Sequence, residues 1–193
     1  MWTLPNQITL FRIILIPVFL IVFYLPLSWS NFGAFAVFWL ASISDALDGY
    51  LARKLNQSSA FGAFIDPVAD KLMVVAALVM IVEDYQTWWI SIAAIIMIAR
   101  EVFISALREF MSSRGKRDII AVSNMGKYKT AAQMLGVMGL IWQPNYDIPL
   151  ILFKFPHEIL NFAAYSFFFI ATVLTVTTFL SYFRAAWPEL KNS

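Results

Sequence analysis

Cysteine is absent from the 193-residue chain and histidine occurs once, at His157. The first absence excludes thiol nucleophiles, disulfides, iron–sulfur clusters and Cys-based zinc sites, and it leaves the redox compartment unreadable. The second excludes chemistry that needs two imidazoles. Charge is scarce as well. Only 13% of residues are charged, and the formal net charge of +2 gives no electrostatic footprint for nucleic acid or a bulk acidic partner. Apolar residues take their place: 61% are hydrophobic, 17% aromatic, and the mean hydropathy is +0.73. That is more apolar surface than one water-soluble core can bury. Six spans of roughly 21 residues use about 126 residues and leave about 67 for termini and connections, too few for an added soluble domain. The expected architecture is therefore an all-α polytopic membrane protein, a single domain over residues 1–193 with six transmembrane helices.

The apolar runs are Pro5 to Leu27, Phe32 to Leu55, Phe61 to Val82, Trp88 to Met111, Lys127 to Ile141 and Glu158 to Tyr182. Breakers separate them at Pro26 with Ser28 to Ser30, Asn56 to Ser59, Glu83 to Gln86, Ser112 to Arg117 and Gln143 to Pro149. The fifth run is the shortest. Gln133 interrupts it, and it crosses a bilayer only if it extends at an end. The first run continues to Leu27 with no small-residue cleavage site, so it is expected as a retained helix and not a signal peptide. With the N-terminus in the cytoplasm, every basic residue except Lys154 falls on the inner side or at an inner helix end, which predicts both termini cytoplasmic. Trp88, Trp89 and Trp142 then lie near outer ends, where interfacial tryptophans belong. His157 fits an interfacial polar residue, and Arg114, Lys116 and Arg117 fit an orientation signal facing lipid headgroups. Gly136 and Gly139 permit close helix packing but do not form the GxxxG dimer motif.

Ionisable residues within spans cost about 2.5 to 3.5 kcal/mol each at mid-bilayer, so a cluster of them marks a functional site. Asp45, Asp48 and Arg53 come late in the second run, and Asp66, Asp70 and Lys71 early in the third. Arg100, Glu101 and Arg108 come late in the fourth, and Lys127 and Lys129 open the fifth. In the alternating topology all of these occupy the cytoplasmic half, which predicts a polar cavity open to that side. Asp45 and Asp48 are three apart and Asp66 and Asp70 four apart, so each pair shares a helix face. A short turn joins the two helices, and the carboxylates should converge. Converging carboxylates repel unless cations lie between them, and an all-oxygen set suits Mg²⁺ or Mn²⁺. Gly49 and Gly62 leave room for a close backbone approach, and Arg53 supplies a fork of donors for a phosphate. Together these parts suit phosphoryl transfer to or from a pyrophosphate.

Asp45, Asp48, Gly49, Ala52, Arg53, Gly62, Asp66 and Asp70, at their spacing, resemble the complete signature of the CDP-alcohol phosphatidyltransferases. Outside it, Pro5 to Arg12, Asn56 to Lys71, Ala99 to Glu109 and Gly126 to Thr130 are similar to the bacterial branch of that family that uses glycerol 3-phosphate. The resemblance implies a homodimeric enzyme of the bacterial cytoplasmic membrane. It would transfer the phosphatidyl group of CDP-diacylglycerol to sn-glycerol 3-phosphate and release CMP, the first committed step towards phosphatidylglycerol and cardiolipin. It further implies that Asp45, Asp48, Asp66 and Asp70 hold one or two divalent ions, and that Asp70 is also the general base. Gly49, Arg53 and Ser59, with Asn6 and Thr9, would lie at the cytidine diphosphate. A phosphorylated acceptor needs basic residues, and Arg100, Arg108, Lys127 and Lys129 are the candidates.

Each of these basic residues has a plainer role open to it. Arg100 with Glu101 suits a structural ion pair, and Arg108, Lys127 and Lys129 suit anchoring at headgroups. A sibling transferase with serine, inositol phosphate or phosphatidylglycerol as acceptor satisfies the signature equally. A divalent-cation transporter would also need such acids, although no matching polar groups mark an outer path.

Overall fold

A computed structural model describes residues 4–55, 60–116, 124–149 and 154–191. Each apolar run forms a helix: α1 (Leu4–Phe23), α2 (Ser30–Leu55), α3 (Ala60–Tyr85), α4 (Trp88–Ser113), α5 (Asn124–Trp142) and α6 (His157–Lys191). Several helices outrun their apolar stretches, because polar side chains end a hydrophobic run without ending a backbone helix. Thus α3 continues through Glu83 and Asp84 to Tyr85, and α6 runs on past Tyr182 to Lys191. The fifth run gains residues at both ends. Its 19 residues span about 28 Å at 1.5 Å per residue, close to the thickness of a hydrocarbon core. One feature was not expected: β1 (Ile148–Pro149) and β2 (Lys154–Phe155) form a short antiparallel pairing before α6. By length and composition α4 and α6 qualify as membrane-crossing helices, and Gln7–Phe23 is a shorter apolar helix.

The main core joins Phe19 of α1, Phe38 of α2, Leu78 of α3, Met97 of α4, Leu140 of α5 and Phe168 of α6, all buried. A smaller cluster, Ile104, Leu107 and Met111 with Tyr182 and Ala186, locks the far ends of α4 and α6 together. The close packing that Gly136 and Gly139 permit is used within the chain, between α5 and α6. A Cβ placed on Gly136 would stand 2.6 Å from the Phe168 backbone nitrogen, and one on Gly139 would collide with Ala164. The tryptophans divide. Trp88 is 76% exposed, whereas Trp142 stacks on Phe35 with ring centroids 5.1 Å apart and Trp89 packs on Tyr165.

His157 opens α6, where Asp147 accepts a hydrogen bond from its backbone nitrogen at 3.2 Å and lies 3.0 Å from its Nδ1. These contacts hold the Asp147 carboxyl below its ordinary range. The imidazole thus serves the start of a helix, where an acidic side chain also meets the positive end of the helix dipole.

Candidate active site

Polar residues from α3, α4, α5 and α6 line one cavity of about 200 Å³. On α5 the lining residues are Gly126, Lys129, Thr130, Gln133 and Met134, whose spacing of three, four, seven and eight positions from Gly126 places them on one helix face. This explains the polar break in the fifth run: Gln133 is buried, faces the cavity, and its Oε1 has no hydrogen-bond partner among the described residues. From α3 come Asp70 and Lys71, from α4 Arg100, Glu101 and Arg108, and from α6 Tyr182.

Glu101 organises the charges. It lies 3.2 Å from Arg100 Nη1 and accepts a hydrogen bond from Lys129 Nζ, whose side chain is 2% exposed. The guanidinium carbons of Arg100 and Arg108 lie 5.8 and 5.9 Å from the centre of the Tyr182 ring, within cation–π range. Arg108 therefore turns towards the cavity. Arg100 Nε is buried and has no hydrogen-bond partner among the described residues. Lys71, Arg100, Arg108 and Lys129 outweigh Asp70 and Glu101 on this wall, so the cavity favours an anion.

A smaller cavity of about 30 Å³ adjoins it, lined by Arg12 of α1, Ser42 and Asp45 of α2, Asp70 and Met73 of α3, and Met134 of α5. Asp70 belongs to both cavities. The α1 helix supports the acids: Thr9 Oγ1 donates to Asp66 Oδ1 at 2.5 Å, and Arg12 Nη1 lies 2.7 Å from Asp45 Oδ1. Thr9 and Arg12 are both buried, whereas Asp45 and Asp70 are exposed and Asp66 is half-buried. Carboxylate oxygens at this junction are the donor type that hard divalent cations prefer, so the residues fit such an ion.

The profile of the CDP-alcohol phosphatidyltransferases matches residues 2–180. The chain belongs to this family. Over 189 residues it is 47% identical to the CDP-diacylglycerol–glycerol-3-phosphate 3-phosphatidyltransferase of Escherichia coli (strain K12), an overlap covering 98% of this chain and 97% of that one. Proteins of the same name from Shigella sonnei (strain Ss046) and Shigella flexneri serotype 5b (strain 8401) match with the same identity and coverage.

For a CDP-alcohol phosphatidyltransferase, the signature positions divide between two helices. Asp45, Asp48, Gly49, Ala52 and Arg53 lie in α2, and Gly62, Asp66 and Asp70 lie in α3. Ser59 lies outside the described residues, as do the side chains of Asn6, Asp48 and Arg53. Arg100, Arg108 and Lys129 share the cavity with Asp70, but Lys127 is exposed and is not part of its lining. Thr9, expected at the nucleotide, donates a hydrogen bond to Asp66. Sequence reasoning counted Arg12 only as an inner-side charge, and gave Tyr182 no role. The available signal for Arg12 was its position three residues after Thr9, on the same face of a helix that is apolar from Ile13 to Phe23.

A second group of possible metal ligands lies at the start of α6. Ligand atoms of Asp147, His157 and Glu158 lie within 4.8 Å of one another. Asp147 and Glu158 are exposed, and the contacts between Asp147 and His157 already serve the helix start. Among the described residues, Asp45, Asp66 and Asp70 are not drawn together as tightly as this trio, and the Arg12 guanidinium lies against Asp45.

Proposed function

We propose that the chain is a phosphatidyltransferase that moves the phosphatidyl group of CDP-diacylglycerol to the hydroxyl of sn-glycerol 3-phosphate, giving phosphatidylglycerophosphate and CMP. What supports this most directly is the junction at Asp70, where a carboxylate cluster meets a cavity walled by Lys71, Arg100, Arg108 and Lys129. The relatives at 47% identity carry the name of the same reaction. In our reading Asp45, Asp48, Asp66 and Asp70 hold one or two Mg²⁺ or Mn²⁺ ions, which supply charge stabilisation at the pyrophosphate when bound. Gly49, Arg53, Ser59, Asn6 and Thr9 belong to the CDP-diacylglycerol side of the site. Arg100, Arg108 and Lys129 hold the phosphate of the acceptor, and Lys127 serves the membrane surface.

Asp70 takes the proton of the acceptor hydroxyl as its oxygen bonds to the phosphorus bearing diacylglycerol. The bond from that phosphorus to the CMP oxygen breaks, and the electron pair leaves with CMP. Both reactants must reach one place, which fits six spans in the bacterial cytoplasmic membrane, both termini in the cytoplasm, a single domain over residues 1–193, and a homodimeric assembly. The water-soluble acceptor then enters from the cytoplasm while the lipid enters sideways.

The test is direct. Purified protein with Mg²⁺ or Mn²⁺ and CDP-diacylglycerol is offered glycerol 3-phosphate, serine, inositol phosphate or phosphatidylglycerol separately, and CMP release and the lipid formed are both measured. Selective turnover with glycerol 3-phosphate is expected. Turnover only with another acceptor would overturn the acceptor assignment, and none with any would return the acid cluster to cation transport.

A further inference from the structure

Gln133 sits midway along α5, 3% exposed, in the wall of the larger cavity. A glutamine amide carries two donor hydrogens and a carbonyl acceptor, and burying it unpaired inside a span is costly. Its Oε1 has no hydrogen-bond partner among the described residues. The other polar groups of this wall are of a different kind or already engaged. Lys71, Arg100, Arg108 and Lys129 only donate, which suits a phosphate and not the hydrogen of a hydroxyl. Glu101 accepts from Lys129 and Arg100, and Thr130 donates its hydroxyl hydrogen to the Gly126 carbonyl at 3.0 Å. Asp70 is the proposed base for the hydroxyl that reacts. Position points the same way. Gln133 follows Lys129 by one helical turn, a rise of about 6 Å, and its neighbour Met134 lines both cavities, as Asp70 does. A small acceptor with its phosphate at Lys129 and its reacting hydroxyl at Asp70 therefore lays its middle carbon beside Gln133.

We propose that Gln133 is a specificity-determining residue of the acceptor site: its side-chain carbonyl accepts a hydrogen bond from the second hydroxyl of a three-carbon polyol phosphate, the one that does not react. The inference rests on the reading of this cavity as the acceptor site, and it names what within the cavity selects the acceptor's carbon chain. A half-turn of the amide about its last bond exchanges oxygen and nitrogen, so the carbonyl can be offered to the cavity without moving the helix. An acceptor lacking the middle hydroxyl leaves that carbonyl unpaired beside an apolar carbon and reacts more slowly.

The experiment measures kcat/KM of the full chain with Mg²⁺ and CDP-diacylglycerol for two acceptors, glycerol 3-phosphate and 3-hydroxypropyl phosphate. The second keeps the phosphate and the reacting hydroxyl and lacks only the middle one. Wild type is expected to prefer glycerol 3-phosphate by about 10- to 100-fold, and Gln133→Met, similar in shape but without the amide, to bring the two acceptors close to parity. A structural glutamine would act otherwise, its loss slowing both acceptors together and leaving the preference intact. That result, or a wild type with no preference, overturns the inference while leaving the acceptor assignment in place. A wild type that turns over neither acceptor overturns both. Should Gln133→Met fail to fold, Gln133→Asn decides, since it withdraws the amide by one carbon. The preference should then fall severalfold, and an unchanged preference overturns the inference.

Discussion

Replacing Glu101 by Gln removes the negative charge between two cations while keeping nearly the same shape. Lys129, with a 2% exposed side chain, loses its carboxylate partner, and Arg100, 10% exposed, loses its own. Breaking a fully buried ion pair costs about 3–5 kcal/mol. The Glu101 side chain is 22% exposed and borders a polar cavity, so water recovers part of this and about 2–3 kcal/mol is expected. For a chain of this length that lowers the melting temperature by about 4–12 °C. The 7 tryptophans allow the transition to be followed by intrinsic fluorescence in detergent. Lys129→Met should cost less, because Glu101 keeps Arg100. The double variant Glu101→Gln/Lys129→Met should recover most of the loss, since it leaves no buried ammonium without a partner. A Glu101→Gln protein that melts with the wild type, or a double variant no more stable than Glu101→Gln alone, would refute the view that Glu101 balances this wall.

Arg100→Ala should raise KM for glycerol 3-phosphate more than KM for CDP-diacylglycerol; an equal rise for both, measured in mixed micelles, would assign Arg100 to structure only. Gly136→Ala sets a methyl carbon against the Phe168 backbone and should destabilise the chain by about 1–3 kcal/mol, read as a lower melting temperature. Asp70→Asn should retain Mn²⁺ binding and lose CMP release, and retained turnover would remove Asp70 as base. The Asp147 carboxyl is held below its ordinary 3.8, so its support of the α6 start is complete above that value and is lost as pH falls through the lower, folded-state value. Hydrogen exchange at the first turn of α6 should therefore separate wild type from Asp147→Asn near neutral pH and cease to do so in strong acid.

The helices were legible because apolar runs and their breakers are local properties. The acid pairs were legible because spacings of three and four fix a shared face whatever the helix packs against. Which basic residues reach the cavity was less so. Lys127 and Lys129 are near neighbours in sequence, but two positions turn a helix by roughly 200°, so only one of them can face a given partner. Choosing Lys129 required knowing which side of α5 meets α3 and α4. Arg12 was hidden for the same reason, since its partner Asp45 lies on another helix and its spacing from Thr9 marks a shared face of α1 without saying what that face meets. Gln133 looked like a flaw in a weak span, when it is the residue that continues the face of Gly126, Lys129 and Thr130. The β1–β2 pairing escaped because it is two residues long on each side and depends on a loop closing, not on a periodic pattern.

The length of α6 bears on how substrates are handled. From His157 to Tyr182, where Arg100 and Arg108 gather, the helix rises about 37 Å, more than the roughly 30 Å of a hydrocarbon core. If α6 enters the bilayer near His157, the Tyr182 end of the cavity stands at the opposite headgroup layer, beyond the acyl chains. A protein working at that depth needs no alternating gates. Under the proposed function the polar reactant would arrive and CMP depart through the same water-facing mouth, with the lipid sliding in its own leaflet, so turnover should continue without a membrane potential or any change in which face of the protein is open.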